Sequence, residues 1–292
     1  MSTADITPSL PSSSDATSVD PRLPRTGRRN DGSRHIVHIG DVPFGAEPFV
    51  VIAGPCAVES ADMITRAAAR VADLGANVLR GGAFKPRTSP YSFQGLGMPG
   101  IEMLQHASHT HGLPFVTEVL SESDVEAMAE RVDAFQIGAR NMQNFALLEA
   151  VGRTGRPVVL KRNFGATPTE WLLAAEHVAR AGSDKIILCE RGIRSFGDET
   201  RFTLDLAGAM WAQDESRLPV IVDPSHAIGL PHLLKRAAAA TLAAGLDGLM
   251  VEVHPDPTQA RCDADQALTP AAFEELMAHL QRFTIERPLL AR

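Results

Sequence analysis

From Phe49 to about residue 283 the chain repeats one pattern eight times: a short apolar run, a loop, then a stretch with helical periodicity. The apolar runs are FVVIAG (49–54), NVLRGG (77–82), PFVTEV (114–119), DAFQIG (133–138), PVVLKR (157–162), KIILCE (185–190), LPVIVD (218–223) and DGLMVEV (247–253). Such short continuous runs suit strands buried on both faces. The helical stretches start near Ser60 and after Ser121, and occupy 98–111, 144–152, 168–181, 203–213, 230–244 and 270–283. Strict β/α alternation with short links predicts an α/β fold, a parallel sheet with helices outside. Eight units in about 240 residues fit a closed (β/α)8 TIM barrel better than an open doubly wound sheet. The preceding HIVHIG (35–40) is read as a hairpin strand that plugs the barrel floor.

This pattern divides the chain into a tail, 1–33, and a catalytic barrel, 34–292. The tail is rich in Ser, Pro, Thr, Asp and Arg and offers little to bury, so it is expected to be disordered and removable. Its four aspartates, Asp5, Asp15, Asp20 and Asp31, argue against a transit peptide, and it lacks the apolar region of a secretory signal. No run approaches the ~20 apolar residues that span a bilayer, so no membrane partner is expected. A net charge of −7 argues against nucleic acid, whose binders carry a broad basic excess. Three widely separated cysteines make no disulfide framework, which points to a reducing, cytoplasmic setting.

In a barrel, the C-terminal strand ends converge on one face, where active sites lie. Four residues at those ends or just beyond could bind a metal. Cys56 follows FVVIAGP, His226 follows PVIVDPS, Glu252 closes GLMVE, and Asp263 lies in the loop beyond. A thiolate, an imidazole and two carboxylates form a mixed site for a divalent transition metal. Any one has a bland reading as a core cysteine, a capping histidine or a loop acid; four at converging ends favour the metal. The other ends carry cations: Arg80, Lys85, Arg87, Arg140, Lys161 and Arg191. With the Thr88 and Ser89 hydroxyls they suggest a pocket for phosphate or carboxylate groups. Arg162 and Arg194 lie nearby and are read as surface charge in preference to secondary contacts. His254 is open between a contact that orients a ligand or substrate and a plain loop role.

Together these segments resemble the 3-deoxy-D-arabino-heptulosonate 7-phosphate (DAHP) synthases, in the compact subfamily near 3-deoxy-octulosonate 8-phosphate synthase. The matching stretches include AGPCAVES, LRGGAFKPRTSPYSFQGLG, FQIGARNMQN, LCERGIRSF, VDPSHAIG and CDADQAL, and they cover nearly all of 49–268. The resemblance implies the first step of the shikimate pathway, condensation of phosphoenolpyruvate with erythrose 4-phosphate. It makes Cys56, His226, Glu252 and Asp263 the metal ligands, and because a mixed sulfur, nitrogen and oxygen site is not strongly selective, Mn, Co, Fe or Zn is expected there. It places phosphoenolpyruvate on Arg87, Arg140, Lys161 and Arg191, with Lys85 beside them, and the aldehyde phosphate on the KPRTS run (85–89).

Lys161 and His226 are the catalytic candidates. Lys161 is assigned either proton handling near C2 or a purely electrostatic part, and Asp223 is expected to orient His226. The sister enzymes resemble KANRSS where this chain has KPRTS, which favours the seven-carbon product. Asn163 stands where the family often has Gly, which leaves an octulosonate synthase or a condensing enzyme of specialised metabolism as alternatives. A non-catalytic barrel would have lost these residues. The chain is expected to be a barrel without an added regulatory domain. It is expected to be a homo-oligomer, dimer or tetramer, with a separate chorismate mutase as candidate partner.

Overall fold

The computed structural model describes residues 18–87 and 89–283. A hairpin of β1 (Val37–Ile39) and β2 (Val42–Phe44) comes first. The barrel strands follow: β3 (Val50–Gly54), β4 (Val78–Arg80), β5 (Phe115–Glu118), β6 (Ala134–Ile137), β7 (Val158–Lys161), β8 (Ile186–Glu190), β9 (Val220–Val222) and β10 (Gly248–Glu252). They close in the order β10-β3-β4-β5-β6-β7-β8-β9, all parallel. The alternation expected from the sequence is therefore a closed eight-stranded barrel. Closure pairs Glu252 with Gly54 and so carries β10 to the β3 end, two residues before Cys56. Gly54 has φ +147°, and a Cβ there would overlap the Arg80 carbonyl; only glycine lets these ends come so close.

Side chains alternate between two cores, as a pleated strand requires. Ile52, Val116, Val159, Ile187 and Met250 fill the barrel interior together with Val37, Ile39 and Phe44 of the hairpin. The expected floor plug is thus present, and burial of its three apolar side chains contributes about 1.5–3 kcal/mol each. Leu79, Phe135, Leu160, Leu188 and Val251 point outward and pack on the helices. Those helices are α1 (Ala61–Asp73), α2 (Met98–His111), α3 (Glu122–Ala129), α4 (Phe145–Arg153), α5 (Pro168–Ala181), α6 (Leu206–Glu215), α7 (Pro224–Ile228), α8 (Pro231–Ala243) and α9 (Pro270–Phe283). Ser60 caps α1 by accepting from the Met63 amide at 3.1 Å. No described helix is long and apolar enough to cross a membrane.

Two expectations need correction. Helix α6 begins three residues later than expected, because Thr203 is used in an antiparallel bridge to Ile193 and Asp205 provides the cap. The short α7 was not anticipated; Asp223 caps it from the end of β9.

The tail is the larger error. Residues 1–17 lie outside the described residues, but 18–33 run along the barrel as a packed strap. Leu23 is 3% exposed and Thr26 is fully buried. Glu176 of α5 accepts from the Arg25 and Thr26 amides, both at 3.0 Å, and from the Thr26 hydroxyl at 2.6 Å. Backbone bonds join Arg28 to Glu215 and Arg217 to Thr26. The strap is held by hydrogen bonds to distant residues, a signal that composition does not carry.

Candidate active site

Three strand ends deliver the four metal candidates, β10 supplying two of them. Cys56 follows β3, His226 sits in α7 just after β9, Glu252 ends β10, and Asp263 starts the last loop turn before α9. One donor atom of each lies within 4.8 Å of the others. Cys56 Sγ is 3.1 Å from Asp263 Oδ2, and His226 Nε2 is 3.1 Å from Glu252 Oε1. Glu252 is fully buried; its Oε2 accepts from Gln266 at 2.6 Å. Its Oε1 lies between His226 Nε2 at 3.1 Å and Arg80 Nη2 at 3.3 Å, ion pairs whose angles fall short of a regular hydrogen bond. A buried carboxylate beside a thiol, an imidazole and a second carboxylate, all within reach of one point, fits a divalent transition metal.

Asp223 orients His226 as expected. Its Oδ2 lies 2.7 Å from His226 Nδ1, and its Oδ1 accepts from the His226 amide at 3.1 Å. That bond turns Nε2 toward the ligand centre. Burial works against the His226 cation, but the Asp223 and Glu252 carboxylates outweigh it and raise its pKa to about 9. Burial would likewise raise the Asp223 carboxyl, yet His226 and Lys161 hold it well below the usual range. A metal at this site would have to displace the imidazole proton.

Beside the four ligands lies a cavity of about 330 Å³. Lys85, Arg87, Ser89, Arg140, Lys161 and Arg191 all line it, so the structure brings together every substrate-binding candidate it describes; Thr88 lies outside the described residues. Lys85 Nζ is 3.1 Å from both the sulfur and the carbonyl oxygen of Cys56. Lys161 Nζ is 2.5 Å from Asp223 Oδ2, so one carboxylate serves both the histidine and the lysine. Arg80 lines the cavity at 3% exposure, and its Nε and Nη1 find no partner among the described residues. A buried guanidinium with idle donors is a strong anion-binding group.

The sequence reading undervalued several residues. Arg162, read as surface charge, is 3% exposed and ion-paired to Glu190 and Asp205; pleat alternation turns it into the helix layer. Arg194 stacks on Phe164 with 4.8 Å between guanidinium and ring centre. His254 is buried with Nε2 3.7 Å from Glu59, whose Oε1 accepts from the Arg261 amide at 2.8 Å, so it braces the ligand loops. Asn163 donates to the Ala139 carbonyl at 3.0 Å and accepts from Gly165 at 2.8 Å, which links the Lys161 and Arg140 loops. Glu118, Gln136, Phe164, Arg201 and Phe202 also line the cavity and were missed. Glu118 and Gln136 did have a signal, since each is a polar residue late in an otherwise apolar run.

Comparison with known proteins agrees with this geometry. Residues 33–286 match the sequence profile of the DAHP synthetase I family. The phospho-2-dehydro-3-deoxyheptonate aldolase of Thermotoga maritima is 48% identical over 247 residues, 85% of this chain and 73% of that protein. A 2-dehydro-3-deoxyphosphooctonate aldolase of Syntrophotalea carbinolica is 35% identical over 264 residues, 82% of this chain and 94% of that one. Two solved structures of the Thermotoga maritima DAHP synthase superpose with a TM-score of 0.83 each. The crystal structure of the aldolase is 47% identical and covers 86% of this chain and 74% of its own. The truncated form is 42% identical and covers 90% and 96%. Fold, converged residues and similarity over most of the chain agree: this chain belongs to the DAHP synthetase I family.

Proposed function

We propose that this barrel condenses phosphoenolpyruvate with erythrose 4-phosphate to give DAHP and phosphate. The observation that carries the reading is the cationic cavity directly beside the four-ligand cluster, with buried Arg80 paired to Glu252 through Nη2 and its Nε and Nη1 without a partner among the described residues. Family membership narrows the chemistry to a phosphoenolpyruvate–aldose condensation, and the KPRTS run (85–89) favours the four-carbon aldehyde. A divalent metal, Mn, Co, Fe or Zn, held by Cys56, His226, Glu252 and Asp263 would supply Lewis-acid polarisation of an aldehyde oxygen.

The protein groups do the rest. Arg140, Lys161 and Arg191 fix the carboxylate and phosphate of phosphoenolpyruvate, and much of the rate gain comes from that positioning. Its C3 forms a bond to the aldehyde carbon, water adds at C2, and the C2–O bond to phosphate breaks. Lys161, whose ammonium Asp223 holds at the cavity wall, either takes part in moving the proton released by the water that adds at C2 or acts purely electrostatically. Glu118 and Gln136 also line this space. A cytoplasmic location, a homo-oligomeric assembly and a separate chorismate mutase partner accompany this reading as expectations.

Turnover of phosphoenolpyruvate with erythrose 4-phosphate or arabinose 5-phosphate tests it. Erythrose 4-phosphate should be the better substrate by kcat/KM. A preference for arabinose 5-phosphate would move the protein to the eight-carbon sister activity of its octulosonate-aldolase relatives.

A further inference from the structure

One buried ionic group has no part in the chemistry above. Along β7, Val159 faces the barrel interior and Leu160 the helix layer; Lys161 then enters the cavity and Arg162 turns outward. Along β8, Cys189 faces inward, Glu190 outward, and Arg191 enters the cavity. Arg162 and Glu190 therefore meet behind the wall that carries Lys161 and Arg191. Arg162 Nη1 donates to Glu190 Oε2 at 3.1 Å and to Asp205 Oδ2 at 2.8 Å, and its Nε donates to the Ala166 carbonyl at 3.0 Å. Glu190 Oε1 accepts from the Gly192 amide at 2.6 Å, and Asp205 Oδ1 caps α6 through the Gly208 amide at 2.8 Å.

Stability does not account for this group. Buried ion pairs are often no better than apolar side chains of the same volume, and here two carboxylates share one guanidinium. Burial pushes the Glu190 carboxyl up against the pull of Arg162 and the Gly192 amide. Location does account for it. Arg162 and Glu190 are the chain neighbours of the two cavity cations. Gly192, held by Glu190, packs so closely against Phe202 that a Cβ would overlap it, and the Phe202 ring lies 4.7 Å from the Arg191 guanidinium. The β7 end, the β8 end and the α6 cap are thereby tied at one point.

We propose that Glu190, Arg162 and Asp205 form a positioning group that sets the spacing of Lys161 and Arg191, and thereby the affinity of the cavity for phosphoenolpyruvate. None of the three lines the cavity, so each acts through its neighbour. The proposal rests on the reading of that cavity as the phosphoenolpyruvate site.

The test is Glu190→Gln in the full-length, metal-loaded protein. Either orientation of the new amide turns an NH₂ toward a donor, Gly192 N–H or Arg162, so one anchor is lost. KM for phosphoenolpyruvate, and its Kd by calorimetry, should rise about tenfold. KM for erythrose 4-phosphate should stay within about twofold, and kcat, which draws on Lys161, should change less than the phosphoenolpyruvate KM, the pattern of lost uniform binding. Arg162→Lys, which keeps the charge but loses the fork, should move the same constants in the same direction. Asp205→Asn, which can still cap α6, should have a smaller effect.

A lower melting temperature with phosphoenolpyruvate constants unchanged would overturn the proposal. So would a fall in kcat alone, or an equal rise in both KM values. If Glu190→Gln does not fold, Arg162→Lys decides by the same readings. Failure of the wild-type protein to bind or consume phosphoenolpyruvate would overturn the site reading and this proposal with it. An active wild type with an unchanged Glu190→Gln overturns the positioning alone.

Discussion

Cys56 has two sulfur-reactive neighbours with opposite consequences: the ligand cluster, and the Cys262 sulfur 3.3 Å away. With the metal stripped, air oxidation should join the two sulfurs as a disulfide, each thiol giving up its hydrogen to dioxygen. Bound metal or a thiol reductant should protect. Peptide mass spectrometry reads the crosslink; its absence, or equal inactivation of a Cys262→Ser variant, would contradict the expectation. Across the cavity, Arg140→Ala, Lys161→Ala and Arg191→Ala should each cost about ten- to a hundredfold in kcat/KM for phosphoenolpyruvate, since a charge-assisted bond contributes about 1.5–3 kcal/mol. Native circular dichroism with near wild-type kinetics in two of the three would show the pocket misassigned. Cys56, His226, Glu252 and these cations were legible because each stands at or just after an apolar run, and barrel geometry makes such positions converge; Asp263, in the loop beyond, was legible through the CDADQAL stretch. Arg162 was not: it follows the same run as Lys161, and only the neighbouring Asp205 and Glu190 show that its charge is buried.

The barrel strands and most helices could be read from periodicity, because each buries a face whose pattern is written locally. The strap over 18–33 was not readable in that way. Its anchors are one leucine and a set of backbone and hydroxyl donors aimed at Glu176, some 150 residues later in the chain. Glu176→Ala would leave the buried Thr26 hydroxyl and two amides without that acceptor. It should lower unfolding free energy by about 1–3 kcal/mol, read from denaturant midpoints at constant slope. Deleting residues 1–33 should lower the melting temperature further, while deleting 1–17 leaves every described strap contact in place. An unchanged midpoint in both Glu176→Ala and the 1–33 deletion would mean the strap does not support the barrel in solution.

At the scale of the whole molecule, closure does the functional work. Cys56 and Asp263 are more than two hundred residues apart, yet their ligand atoms are 3.1 Å apart because β10 pairs with β3. The hairpin and the inward apolar side chains fill the lower barrel, so the polar strand ends share a single open face with the cavity. The same alternation separates two sets at the strand ends: Lys161 and Arg191 enter the cavity, and Arg162 and Glu190 turn outward into the helix layer.

The most direct test of the account is phosphoenolpyruvate consumption with erythrose 4-phosphate by protein stripped of metal and then reconstituted. Turnover should vanish on stripping and return with about one equivalent of Mn²⁺, Co²⁺, Fe²⁺ or Zn²⁺ per chain, because a mixed sulfur, nitrogen and oxygen site discriminates weakly among them. Glu252→Ala, treated in the same way, should bind no metal and regain no activity. Full turnover by protein shown by elemental analysis to hold no metal would contradict the account.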